Sequence, residues 1–144
     1  MNEDNDSFIR WQGITINQFT YAQNLILTFS VAALGFGLSM IKDQTFAPLG
    51  LGKCLFTLSL ISLSISIGCG LCCVINRLKD FRVTKTIAKN RGNDDSSEIS
   101  ELREISRNLG RRTWNLFRCQ IGIFSLGILL LTIGIILIYG NKLF

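Results

Sequence analysis

Three long stretches without a charged side chain constrain this chain more than any other feature. Trp11 to Ile41, Cys54 to Ile75 and Cys119 to Gly140 contain no Asp, Glu, Lys or Arg. A helix needs about 20 mostly apolar residues to cross roughly 30 Å of bilayer hydrocarbon. The first stretch opens with Gln12, Asn17, Gln18, Gln23 and Asn24, so its bilayer-competent part is Leu25 to Ile41, 17 residues, near the short limit. The other two hold 22 residues each. In the third, 13 residues are Leu, Ile or Phe. That content favours insertion by roughly 4–8 kcal/mol before small and polar residues are subtracted. The expected fold is all-α: a single membrane domain over 1–144, with transmembrane helices at 25–41, 54–75 and 119–140.

Charge placement orients the spans. The segment 76–118 holds 11 of the 15 Lys and Arg residues, and the 42–53 connection holds only Lys42 and Lys53. Cations beside span ends stay on the cytoplasmic side. The N-terminus and 76–118 are therefore expected inside, with the 42–53 turn and the C-terminus outside. The acidic start, Met1-Asn-Glu-Asp-Asn-Asp6, lacks the positive n-region of a signal peptide, so the first span is expected to be retained.

Two segments read as helices outside the bilayer. In 1–24, Phe8, Trp11, Ile14 or Thr15, Gln18 or Phe19, and Ala22 fall at helical spacing, and Trp11 and Tyr21 suit the membrane interface. This is a cytoplasmic or interfacial helix running into the first span. The 76–118 segment reads as a cytoplasmic helical hairpin broken at Asn90-Arg-Gly-Asn-Asp-Asp-Ser-Ser97, a turn by composition. Its first arm places Leu78, Phe81 and Ala88 on one side. Its second starts with Asp95 and Glu98 at capping-box spacing and continues through Ile99, Leu102, Ile105, Leu109 and Leu116. Leu102, Leu109 and Leu116 recur every seven residues, the spacing that suits a helical partner.

What is missing narrows the function. The chain has no histidine, the commonest general base near neutral pH and a frequent metal ligand. No nucleophile–base pair can be assembled, and no phosphate-loop, dinucleotide-binding or hydrolase-elbow motif occurs. We therefore expect no catalytic residues, no cofactor and no metal. Nucleic acid is not an expected partner, since zinc motifs and RNA-stacking aromatics are lacking. No ionisable group lies inside a span, which argues against an ion-coupled transporter while leaving a passive pore open.

Two features carry what functional signal there is. In the second span Ser59, Ser62, Ser66 and Gly70 offer helix-packing or pore-lining material. Ser62, Ser66 and Gly70 lie on one stripe, and Ser64, Gly68 and Cys72 on another. Small residues four apart let helices approach closely in lipid, and Ala33, Gly37, Gly127 and Gly134 add to them from the other spans. Cys69, Cys72, Cys73 and Cys119 read as small packing residues, since a Cys-x-x-Cys on a membrane helix without histidine is a poor metal site. The second feature is the basic arm. Arg77, Lys79, Arg82, Lys85 and Lys89, joined by Arg111 and Arg112, are expected to bind anionic lipid headgroups or a partner. Each cation near the surface contributes on the order of 1 kcal/mol.

The run Trp11 … Leu34-Gly-Phe36 … Arg77-Leu-Lys-Asp-Phe-Arg-Val-Thr84 … Thr113-Trp114 resembles a group of small uncharacterised multi-span membrane proteins of bacteria. In layout the chain is also similar to short transmembrane effectors of anti-phage defence systems, though it has three spans where many of those have two or four. The resemblance implies an inner-membrane homo-oligomer that permeabilises or depolarises the membrane when signalled by a cytoplasmic protein or nucleotide. The expected function is thus a pore-forming or membrane-perturbing effector gated through its basic hairpin. The alternative is a membrane-anchored scaffold that recruits a cytoplasmic partner.

Overall fold

The computed structural model describes residues 3–42, 50–90 and 96–143. These form three α-helices: α1 (Glu3–Ile41), α2 (Leu51–Asn90) and α3 (Ser96–Leu143). They hold 39, 40 and 48 residues. At a rise of about 1.5 Å per residue each is roughly 60–70 Å long, about twice the thickness of the hydrocarbon. Each contains a stretch long and apolar enough to cross a membrane. The described residues are thus all-helical, with three helices that could each cross a membrane and that are longer than its hydrocarbon is thick. Most of the turn expected at 90–97, including Asp95, and most of the 42–53 connection lie outside the described residues.

Local chemistry explains why these segments are uninterrupted. In hydrocarbon every backbone polar group must be satisfied within its own segment, which a helix does alone. The hydroxyls that face outward are satisfied the same way: Thr57 donates to Lys53 O at 2.9 Å, Ser64 to Leu60 O at 2.9 Å and Thr132 to Ile128 O at 2.9 Å. Gly50 precedes α2 with φ of 57°, a left-handed conformation that glycine adopts without a Cβ penalty.

Antiparallel α2 and α3 form the main pair, and α1 leans chiefly against α2. The pair keeps a fixed register. Phe56 lies on Gly134, Leu63 on Gly127 and Gly70 on Gln120, so both chains advance by seven residues per layer. Between these layers stand Ser59, Ser66 and Cys73, again seven apart and all buried. The absence of side chains on α3 at two layers sets the approach. A Cβ at Gly127 would meet Leu63 Cγ at 3.1 Å and the Leu63 backbone N at 3.4 Å; one at Gly134 would meet the Phe56 backbone N at 3.4 Å.

Sorting of side chains is the reverse of a water-soluble bundle. Those most fully buried are Leu63, Gln120, Cys73, Ser30, Ser59 and Ser66. Large aliphatics such as Ile61, Ile65, Leu71, Leu129 and Leu137 stay about half exposed. In water that surface would aggregate, whereas in lipid there is no hydrophobic force between helices and small or polar residues make the contacts. An apolar cluster of Phe56, Leu63 and Leu131, with Leu60, Phe124 and Ile128 beside it, fills one end.

The sequence-based faces shift in the arms. Leu78, Phe81 and Ala88 are exposed; the face of α2 turned to α3 instead carries Asn76 and Asp80. The seven-residue register carried down from the span, rather than local hydrophobicity, selects that face. Leu102, Leu109 and Leu116 are half-buried, and in α1 the packed side is Phe19, Ala22 and Gln23, with Trp11 and Ile14 exposed.

A wedge at the Leu63 layer, where a Cβ would meet backbone as well as side chain, should part the helices. Gly127→Leu is expected to destabilise the protein by about 1–3 kcal/mol, the usual range for overpacking. Thermal melting in mild detergent reads this, with Gly122→Leu, where a Cβ would meet nothing within 4 Å, expected to melt like the parent.

Candidate functional site

A seam of polar side chains runs through the middle of the three helices, and it is the feature most unlike inert packing. On α3 it consists of Ser106, Thr113 and Gln120, continuing the seven-residue series that ends in Gly127 and Gly134. On α2 it is built by Ser59, Ser66, Gly70, Cys73, Asn76 and Asp80, and on α1 by Gln23 and Ser30.

The bonds run from one end of the seam to the other. Ser30 donates to Ile26 O at 2.8 Å and its Oγ lies 3.3 Å from Ser66 Oγ. Ser66 in turn donates to Gln120 O at 3.3 Å. Gln23 Nε2 donates to Gly70 O at 3.2 Å, linking α1 to a carbonyl inside α2. Cys73 Sγ is 3.6 Å from Thr113 O. Asn76 Nδ2 donates to Leu109 O at 2.9 Å and to Thr113 Oγ1 at 2.8 Å. Ser106 closes the series, donating to Asp80 Oδ1 at 2.7 Å.

Gln120 is the exception. Its side chain is wholly buried, yet neither Nε2 nor Oε1 has a hydrogen-bond partner. Its carboxamide lies flat against Gly70, where a Cβ would come within 2.6 Å of Nε2 and 3.0 Å of Leu27 Cδ1. A Cβ at Gly70 would therefore push the ends of the Gln120 and Leu27 side chains aside. An unmade amide bond in such surroundings costs about 1–3 kcal/mol.

At the charged end the seam opens into a junction of all three helices. Arg77 donates from Nη2 to Ile16 O at 3.0 Å, and its guanidinium sits 4.9 Å from the Phe19 ring centroid and 5.5 Å from that of Phe81. Phe19 in turn packs on Phe117 at 4.7 Å and on Trp114 at 5.4 Å. Such cation–π contacts contribute about 0.5–2 kcal/mol each, more when desolvated. A cavity of about 170 Å³ lies among Thr15, Phe19, Arg77, Asp80, Thr113 and Trp114. Arg77 Nη1 is buried without a partner.

The residues singled out from sequence fall into two sets. Ser59, Ser62, Ser66 and Gly70 are buried between helices of the one chain, whereas Ser64, Gly68 and Cys72 face outward. Arg77 folds into the junction, apart from Lys79, Arg82, Lys85, Lys89, Arg111 and Arg112, which are exposed. Cys69 is partly buried and Cys119 exposed, and no group of His, Cys, Asp and Glu among the described residues could hold a metal ion. Sequence reasoning missed Gln23, Asn76, Thr113 and Gln120. The seven-residue series on α3, carried without a break from charged arm to span, is the signal that finds Thr113 and Gln120. Comparison with protein-family models, with curated proteins and with solved structures finds no match for this chain.

The two buried amides should respond oppositely to apolar replacement. Asn76→Leu is expected to lower the melting temperature, because Leu109 O and Thr113 lose a donor at a cost of about 1–2 kcal/mol. Gln120→Met, of similar volume, is expected to leave it unchanged or raise it.

Proposed function

We propose that the chain is a non-enzymatic, homo-oligomeric protein of the bacterial inner membrane that perturbs the membrane when α1 leaves the polar seam. The observation that carries this reading is Gln120: a buried carboxamide with no partner at the centre of an apolar bundle. Polar groups placed within a bilayer are costly and tend to be functional. Gln120, Gln23, Ser30 and Ser66 would all gain partners in a state where they face water. The packing supports α1 as the moving element. Its hold on α2 through polar groups consists of Gln23 on Gly70 O, the Ser30–Ser66 contact and Arg77 on Ile16 O. Bonds of this kind in membranes are worth on the order of 0.6 kcal/mol each.

In this reading 76–118 is a cytoplasmic helical hairpin, with the N-terminus inside and the C-terminus outside, as the positive-inside distribution requires. Lys79, Arg82, Lys85, Lys89, Arg111 and Arg112 meet anionic headgroups or the acidic surface or nucleotide that signals opening. Copies associate through the outward small stripe of Ser64, Gly68 and Cys72, which leaves the seam free to open.

A scaffold is the second reading, favoured by the burial of Ser59, Ser62, Ser66 and Gly70 within a single chain. There the helices stay closed and the basic arms hold a soluble partner at the membrane.

Membrane potential in bacteria expressing the protein separates the two. The effector reading expects depolarisation by the parent and none by a Gln23→Leu/Gln120→Leu variant that inserts equally well. An unchanged potential with the parent, together with a stoichiometric soluble protein in gentle membrane extracts, would establish the scaffold instead.

A further inference from the structure

The junction cavity carries a second chemistry, independent of whether the seam opens. Arg77 brings five N–H donors to it. One is spent on Ile16 O, and the side chain lines the cavity. Three residues on along the same helix, hence on the same face, Asp80 lines the same cavity. Ser106 uses Oδ1 of that carboxylate, and a carboxylate accepts about four bonds, so acceptor capacity remains. The cavity therefore presents a donor cation and an acceptor anion side by side. A simple anion would satisfy Arg77 and be repelled by Asp80, and a simple cation the reverse. A zwitterion satisfies both.

Size and position narrow the class. At about 170 Å³ the space is well below the 300–1,000 Å³ of sites that enclose a whole drug-sized ligand, so it suits a headgroup-sized moiety. It stands at the end of the uncharged blocks, where Arg77 follows Ile75 and Trp114 precedes Cys119, which is headgroup depth. Thr15 and Thr113 add hydroxyls, and Trp114, half exposed, forms an outer wall toward lipid. The apolar groove between Phe29 or Phe36 and Phe124 starts ten residues further along α1, about 15 Å deeper, and takes no part.

We propose that this junction binds a phosphoethanolamine group, with the phosphate on the Arg77 guanidinium and the primary ammonium on Asp80. The group is carried by a membrane aminophospholipid or by a soluble phosphoethanolamine. This differs from the diffuse attraction of the exposed cations, which follows net lipid charge. It rests only on the chain lying in a membrane, so its failure and that of the effector reading are read separately.

Native mass spectrometry of the full chain, released from nanodiscs of phosphatidylethanolamine, phosphatidylcholine or phosphatidylglycerol, tests this. One retained phosphatidylethanolamine per chain is expected. Asp80→Asn, which keeps an acceptor for Ser106, should lose the preference over phosphatidylglycerol by about tenfold or more. Arg77→Gln should lose the bound lipid. In phosphatidylcholine nanodiscs, added O-phosphoethanolamine that binds the parent and not Asp80→Asn, without retained aminophospholipid, assigns the group to a soluble source. Equal retention of all three lipids with no binding of O-phosphoethanolamine, or a preference that Asp80→Asn leaves intact, would overturn the proposal.

Discussion

Everything in this structure hangs on the register between α2 and α3. Two helices of 40 and 48 residues stay in contact only if the same kind of residue returns to the seam every seven positions on both. Phe56, Leu63 and Gly70 on one side and Gly134, Gly127 and Gln120 on the other meet that condition. Each layer pairs a glycine with a larger side chain, because lipid offers no hydrophobic drive between helices. Close backbone approach and hydrogen bonds supply the attraction instead. The intervening series of Ser59, Ser66 and Cys73 continues to Asp80 in the charged arm, so span and arm share one register.

That continuity bears on how the arms connect to the spans. Asn76 on Leu109 O and Thr113, and Ser106 on Asp80, hold the arms in the same register as Gln120 and Gly70. α1 stands outside this register. It is attached at three points by polar bonds and by the aromatic packing of Phe19 on Phe117 and Trp114. Arg77 belongs to the second of these systems as much as to α2, since it bonds the backbone of α1 and lies between two phenyl rings.

Much of the fold was legible in the sequence because hydrocarbon imposes a simple code. Long uncharged blocks and one concentration of cations are enough to read three helices. The small stripe of Ser62, Ser66 and Gly70 was visible for the same reason. What it packs against was not, since spacing within one helix says nothing about which neighbour comes nearest. Gln120 and Asn76 escaped notice because a single uncharged polar residue in a span has no local signature. Gln120 stands out only when α3 is read in sevens from Ser106 to Gly134, and Asn76 only by its bonds to Leu109 O and Thr113. Arg77 was grouped with Lys79 and Arg82 by adjacency along the chain, but a step of two residues on a helix turns a side chain to another face. Leu78 and Phe81 share one side of the first arm and stay exposed, while Asn76 and Asp80 turn toward α3.

Backbone amide hydrogen exchange of the protein in nanodiscs tests the central claim, that one register joins span and arm, most directly. The account predicts protection in residues 76–83 of α2 and 103–113 of α3 close to that of the spans, with α1 exchanging faster at its N-terminal half. Rapid exchange beginning immediately after residue 76 in α2 and ending only near residue 118 in α3 would contradict it, because the two helices would then part at the membrane surface.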